Sequence, residues 1–161
     1  MRIGIIYKSV HHQNTRRVAE AMSRQLGAHL LTLADAGEAD ATQYDLVGWG
    51  SGIYFGRHHP ELLQLAATWP SLPRRSFVFS TAGISSLASL WHQPLVRTLQ
   101  RRGSQVIDQF SCPGWDTVGP LWILGGLHRK RPDDADLARA ARFAAGLSEK
   151  FARQAPVSRA T

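Results

Sequence analysis

Thiol chemistry is almost absent from this chain. Cys112 is the one cysteine among 161 residues, so no internal disulfide can form and a zinc site built mainly of thiolates is excluded. Seven scattered histidines leave other metals formally open. Long apolar runs are missing as well: no stretch approaches the ~18 apolar residues a membrane span needs, and one Arg before a short apolar run does not make a signal peptide. A cytoplasmic protein with no transmembrane segment is expected. Acidic residues are few beside basic ones, twelve against sixteen Arg and three Lys, for a net charge of +7. The bases concentrate in Arg74-Arg75, Arg97, Arg101-Arg102 and His128-Arg129-Lys130-Arg131. Such a surface can steer an acidic protein, nucleic acid or anionic lipid, or it can be a solvated basic face. No dedicated nucleic-acid motif accompanies it.

Low-complexity tracts and internal repeats are also lacking. What remains, 43% apolar and 19% charged residues, is the composition of a packed globule of one-domain size. One domain over residues 1–154 and a flexible tail over 155–161 are expected.

Ile3 to Tyr7 is a short β-branched and aromatic run, followed by the polar loop "SVHHQNT". Asn14 or Thr15 is a suitable N-cap for a helix through Leu26, whose apolar residues Val18, Met22 and Leu26 recur at helical spacing; Gly27 supplies the stop. His29 to Leu33 forms a second short strand. Asp45 to Trp49 is a third, running into "GSGIYFG", after which Pro60 opens a helix. Ser76 to Ser80 is a fourth, ending in "TAGISS", with a helix from about Ser89 to Arg102. Gln105 to Phe110 is the last strand. Asp133 to Arg153 reads as a final helix with Asp133, Asp134 and Asp136 placed favourably against its dipole. Strands alternating with helices imply right-handed crossovers, hence an α/β three-layer sandwich around a five-stranded parallel sheet.

Three loops, Ser9 to Thr15, Ser51 to Gly56 and Thr81 to Ser86, each follow a strand, so a parallel sheet brings them to one edge, where open α/β sheets bind ligands. The first offers hydroxyls on Ser9 and Thr15, amides on Gln13 and Asn14, imidazoles on His11 and His12, and the free N–H groups of a helix start. Those are parts for holding a phosphate dianion, or simply a capped helix after a polar turn. There is no Gly-Lys-Ser/Thr ending, which argues against a triphosphate loop. "GSGIYFG" lets backbone approach a flat ligand and brings Tyr54 and Phe55 to pack on a ring, while "STAG" adds small residues on its other side. A phosphorylated planar ligand suits this set.

With "YKSVHHQNT", "GSGIYFGRHHPEL", "FSTAG" and "FSCPGWDTVGPLWILGGLHRKRPDDADLARAARFA", the chain resembles the flavodoxin-like family over nearly its whole length, the bacterial and archaeal branch more than the small acidic flavodoxins. The resemblance implies strand order 2-1-3-4-5 with FMN at the switch point. It implies phosphate contacts from Ser9, His11, Gln13, Asn14 and Thr15, a ring border of Gly52, Ile53, Tyr54, Phe55 and Gly56, and backbone donors at Thr81, Ala82 and Gly83. Gln13 stands where that family usually has Gly, and a Cβ there penalises a positive-φ loop by about 1 kcal/mol. The basic charge is opposite to the acidic surface of many flavodoxins, so a redox partner should present an acidic face.

Other residues have two readings each. Cys112 is either a redox thiol or strand-end packing and is assigned no catalytic role. His58-His59 either meet a substrate or donate a proton to reduced flavin, or they form a polar loop. Trp115 and Asp116 cover the site, or Trp115, Leu121, Trp122 and Ile123 only cover the sheet. Arg129-Lys130-Arg131 meets the 2′-phosphate of NADPH or an acidic protein, or is solvated, and no Gly-rich dinucleotide fingerprint accompanies it. Three functions follow: an FMN-binding redox protein acting in electron transfer; an FMN-dependent oxidoreductase, either an NAD(P)H:quinone reductase or a quinone-linked protoporphyrinogen oxidase, the latter suggested by "IYFGRHH"; or a binding protein of the same fold without FMN.

Overall fold

The computed structural model describes residues 1–10, 13–83, 85–114 and 130–154. β1 (Ile3–Lys8) buries four consecutive residues, Ile3 to Ile6, as expected of a strand covered on both faces. α1 (Asn14–Leu26) presents Val18, Ala19 and Met22 to the sheet and ends at Gly27, which turns in the left-handed region at φ 61. Its N-cap is Gln13, not Asn14 or Thr15, and the Gln13 side chain makes no capping hydrogen bond.

β2 (His29–Leu31) is shorter than the sequence suggests, because Thr32 starts a helix instead of extending the strand. The Thr32 hydroxyl accepts from the Asp35 N–H at 3.2 Å and the Asp35 carboxylate accepts from the Thr32 N–H at 2.9 Å. This reciprocal pair satisfies two otherwise orphaned donors and opens α2 (Leu33–Glu38).

β3 (Leu46–Tyr54) turns into the two-residue β4 (Arg57–His58), and α3 (Pro60–Thr68), β5 (Arg75–Ala82), α4 (Ala88–Arg101), β6 (Gln105–Pro113) and α5 (Asp134–Gln154) follow. The five parallel strands lie in the order β2-β1-β3-β5-β6, with β4 antiparallel to β3. This is the expected flavodoxin-like order, but the sheet has six strands rather than five. β3 also continues past Trp49 through glycines that read as loop. A Cβ on Gly48 would lie 2.3 Å from the Phe77 ring, and one on Gly50 2.0 Å from the Phe79 ring. The neighbouring strand's rings fill the space these glycines leave, so glycine is required here inside a strand.

One face of the sheet packs Ile3, Ile5, Leu46, Phe77, Phe79, Phe110 and Cys112 against α1 and α5. The other packs Ile6, Val47, Trp49 and Val78 in a second core with α3 and α4. α5 starts with a second reciprocal pair: the Asp133 carboxylate accepts from the Asp136 N–H at 2.9 Å, and the buried Asp136 carboxylate accepts from the Asp133 N–H at 3.1 Å. Arg131 pairs with Asp136 at 2.6 Å and with Asp133 at 3.0 Å, and its side chain stays partly exposed. Arg102 is likewise occupied, donating to the Ala66 and Trp69 carbonyls at the end of α3. The expected site cover around Trp115 and Asp116, with Leu121, Trp122 and Ile123, and the tail 155–161 lie outside the described residues.

Candidate functional site at the switch in strand order

The strand order reverses between β1 and β3, whose C-terminal ends therefore diverge and leave a crevice. The loops after β1, β3 and β5 all open on this edge. At its base the Thr15 hydroxyl meets the Thr81 hydroxyl at 2.9 Å, tying the first turn of α1 to the end of β5. Two hydroxyl hydrogens are present and the mutual bond uses one, so one remains to offer. Gly114, whose N–H donates to the Ala82 carbonyl at 3.1 Å, packs into the same corner. A Cβ there would sit 3.1 Å from both Asn14 Nδ2 and Thr81 Cβ.

Of the residues expected at a phosphate, Ser9, Asn14 and Thr15 share this corner or its loop, while His11 lies outside the described residues with His12. The Ser9 hydroxyl is buried with no hydrogen-bond partner among the described residues. Gln13 stands at φ 55 and ψ 22, the left-handed conformation for which glycine is the usual residue. That turn exposes the Gln13 side chain, which makes no capping bond to α1. An orphaned hydroxyl on the loop that leads to a helix whose N-cap side chain makes no capping bond suits an anion.

The second loop differs from the sequence reading. Gly52, Ile53 and Tyr54 are strand residues of β3, and only Phe55 and Gly56 form the turn to β4, at φ 49 and φ 74. Tyr54 folds back over Gly52, where a Cβ would come within 2.9 Å of its hydroxyl, and its ring meets His59 edge-on at 5.5 Å. Phe55 is 93% exposed at the hairpin tip. Gly56 lies against Trp91, which sets this tip beside the start of α4 and its exposed Leu87 and Leu90. In the third loop Thr81 and Ala82 still belong to β5, paired with Cys112 and Pro113, and Gly83 is the first residue past the ladder.

His58 and His59, adjacent in sequence, separate completely. His59 caps α3, its Nδ1 accepting from the Glu61 N–H at 3.3 Å, and partial burial lowers its pKa. The nearby Lys8 ammonium is paired with Glu61 at 2.8 Å. His58 is fully buried on the opposite side of β4. Its Nδ1 is 2.8 Å from the Ser51 hydroxyl and its ring lies 4.9 Å from that of His92 on α4. Burial, and secondarily His92, hold His58 well below the usual imidazole range; burial also lowers His92.

Ser51, Ser80, Ser111 and His92 were not singled out from the sequence. In register, Ser51 pairs with Ser80 and Ser80 with Ser111, a row of serines crossing β3, β5 and β6. The Ser80 hydroxyl lies 2.8 Å from His92 Nε2 and 2.9 Å from the Ser111 hydroxyl, and His92 Nδ1 donates to Gln109 Oε1 at 3.0 Å. The available signal was a Ser at the same depth in "GSG", "FST" and "FSC". His92 was legible as a histidine on the stripe of Leu95, Val96 and Leu99.

Cys112 is buried, and that burial pushes its thiol up to about 12, which suits packing rather than redox reactivity. Among the described residues no group of three or more His, Cys, Asp or Glu is placed to hold a metal. None of their helices is long and apolar enough to cross a membrane. The basic pair Arg74-Arg75 lines a cavity of about 570 Å³ at the N-terminal ends of β3, β5 and β6, remote from the three loops.

Comparison with known proteins agrees with this geometry. An uncharacterized protein of Methanocaldococcus jannaschii is 34% identical over 147 residues, 91% of this chain and 98% of that one. Among solved structures, a flavodoxin from the domain Archaea superposes with a TM-score of 0.67 at 15% identity, covering 94% of this chain and 99% of the other. A flavoprotein of Lactobacillus acidophilus in complex with FMN gives 0.54 at 14% identity, over 68% of this chain and 92% of its own. A family model described as a flavodoxin domain matches residues 4–115, and the chain belongs to that family.

Proposed function

We propose that the chain binds FMN at the switch in strand order and acts as an electron carrier. The observation that carries this reading is the buried Ser9 hydroxyl with no partner among the described residues, on the loop that leads to α1. A hydroxyl left unsatisfied in a fold is costly unless a ligand takes its hydrogen bond. Ser9, the spare hydrogen of the Thr15–Thr81 pair and the first-turn N–H groups of α1 would hold a phosphate dianion. Gly52 to Gly56 and Thr81 to Gly83 would border a flat ring from two sides. FMN, when bound, supplies the redox chemistry, and the chain supplies orientation, hydrogen bonding and burial.

Absorption spectra of the purified protein with and without added FMN, followed by stepwise reduction, test this. Flavin bands that shift on binding, and reduction in separate one-electron steps, are expected. Ser9→Ala should weaken binding roughly tenfold, the loss of one hydrogen bond to a charged group. No binding at micromolar FMN overturns the redox reading and leaves a protein that recognises an acidic partner through its basic surface.

A second reading is favoured by one feature, the apolar rim of Phe55, Leu87 and Leu90 beside the same loops. It suits an apolar acceptor such as a quinone and hence an FMN-dependent oxidoreductase. Direct two-electron reduction by NAD(P)H with turnover of a quinone would select it over the carrier.

A further inference from the structure

The buried histidine pair under the β3–β4 hairpin is the least explained chemistry in the fold. Ser51 has one hydroxyl hydrogen, and it donates to the Gly52 carbonyl at 2.8 Å while the oxygen accepts from the His59 N–H at 3.0 Å. The remaining bond to His58 Nδ1 therefore needs Nδ1 to be the donor. That fixes the tautomer and leaves Nε2 with a bare lone pair, buried and without a partner among the described residues.

His92 is satisfied in its neutral form. Nδ1 donates to Gln109, whose amide oxygen can only accept, so Nε2 accepts from Ser80, which accepts in turn from Ser111. A proton added at His92 Nε2 can be received by Ser80 turning its hydroxyl toward Ser111, whereas one added at His58 Nε2 finds no acceptor among the described residues. The groups facing His58 do not compensate. From β3 these are Ser51 and Ile53, both uncharged, and from α4 the one titratable neighbour is His92. On its own segment Arg57 is exposed, and Glu61 is paired with Lys8 on the far side of His59.

We propose that His58 is the positioning residue of the hairpin Ile53–Gly56, and that uptake of a proton at its Nε2 unseats the hairpin from α4 and frees the ligand bordered by it. β4 is two residues long, its ladder is Ile53 with His58 and Tyr54 with Arg57, and Phe55 is solvent-exposed. Beside the packing of Gly56 on Trp91 and the His59 N–H bond to Ser51, the Ser51–His58 bond, with His58 set against His92, is the buried polar link from this hairpin to α4. The ligand part of the proposal rests on the reading of this loop as the border of a flavin; the anchoring part does not.

An open hairpin exposes His58 to water, where it titrates near its ordinary pKa of about 6.5. Opening should therefore become about tenfold more frequent between about pH 7.5 and pH 5.5. Hydrogen exchange on the full chain without ligand should show protection at residues 53–58 falling about tenfold over that interval, while Ile5 and Ile6 of β1 keep theirs. In His58→Gln, which cannot titrate, the fall should vanish. FMN release followed by stopped flow should accelerate by a similar factor in the wild type and lose that part of its pH dependence in His58→Gln. Protonation of the FMN phosphate affects both proteins alike, so the difference between them is the readout.

An equal pH response in both proteins overturns the proposal. So does ring nitrogen NMR of the wild type that finds the Nε2–H tautomer of His58, a measurement that stands even if His58→Gln does not fold. If FMN fails to bind at all, the flavin reading falls while the exchange experiment still decides the anchor.

Discussion

The two faces of the sheet are built on different chemistry. Against α1 and α5 the strands show almost only hydrocarbon and aromatic surface, with Phe77 and Phe79 lying over Gly48 and Gly50 and Phe110 and Cys112 beside them. Against α3 and α4 the same strands carry Ser51, Ser76, Ser80 and Ser111 with two buried histidines. The first face is held by shape, where a misfit is costly in proportion to volume. The second adds to its apolar core a set of donors and acceptors that are paired among the described residues except at His58 Nε2. That polar set lies beneath the β3–β4 hairpin, so the polar material is concentrated where a loop has to be aimed.

The sharpest way to break the apolar face is Gly50→Ala. Its Cβ would stand 2.0 Å from Phe79 Cζ in a closed core with no room for the ring to retreat. A destabilisation of about 3 kcal/mol is expected in urea unfolding, at the upper end for overpacking. Gly50→Ala combined with Phe79→Leu should recover part of it. On the polar face the comparable change is Ser80→Ala, which removes a single oxygen but leaves His92 Nε2 and the Ser111 hydroxyl without their shared partner. A loss of about 1–3 kcal/mol is expected. If Ser80→Ala proves neutral, the serine row is not a matched network.

The faces should also fail at opposite ends of the pH scale. His58 and His92 have folded pKa values below the ordinary imidazole value, chiefly through burial. Their contribution is present above about pH 6.5 and is lost as pH falls below it, because the unfolded chain binds the protons that the folded chain refuses. Cys112 is raised from 9.0 to about 12, again chiefly by burial. Its contribution is present below pH 9.0 and is lost as pH rises toward 12. Unfolding free energy measured across pH should therefore slope downward on both sides. His92→Gln should flatten the acid limb alone and Cys112→Ala the alkaline limb alone.

Legibility from sequence followed the same division. β1, α1 and the strand-loop-helix repeats are visible in the sequence because apolar periodicity is local, while the strand order comes only with the resemblance to the flavodoxin-like family. β3 reads from the sequence as ending five residues too early, because Gly50 and Gly52 resemble loop residues. Their reason for being glycine or lying in a strand is Phe79 on the next strand and Tyr54 folding back, partners that no local pattern reveals. α2 was hidden by Leu33, which extends an apolar run although Thr32 and Asp35 already form a capping box. At the site, Ser9, Asn14 and Thr15 were named because polar residues after a first strand stand out. His58 reads from the sequence either as a group that meets substrate or protonates flavin or as a polar loop residue, since nothing in "GRHHP" says that one histidine faces water and the other a helix thirty-odd residues on. Burial of a polar residue is a tertiary fact.

The smallest expected effects concern the two non-glycine residues that turn left-handed in the ligand loops, Gln13 at φ 55 and Phe55 at φ 49. Each carries a steric cost of about 1–2 kcal/mol in that conformation. Glycine removes it but gives back about 0.5–1 kcal/mol through the freer unfolded chain. Gln13→Gly and Phe55→Gly should therefore each stabilise by only about 0.5 kcal/mol, read as a small rise in urea midpoint, since both side chains are exposed and no burial is lost. The two variants should part in their effect on FMN. Gln13 already holds the conformation an anion-binding turn requires, so its strain is present with or without ligand and cancels from the binding equilibrium. Affinity in Gln13→Gly should stay within about twofold of the wild type, a change of less than about 0.5 kcal/mol. A tenfold gain would mean that the loop must rearrange to admit the phosphate, and that the preformed Ser9 and α1 cradle is not the bound geometry. Phe55→Gly removes the ring at the rim, and only there should the affinity or reactivity toward an apolar acceptor change.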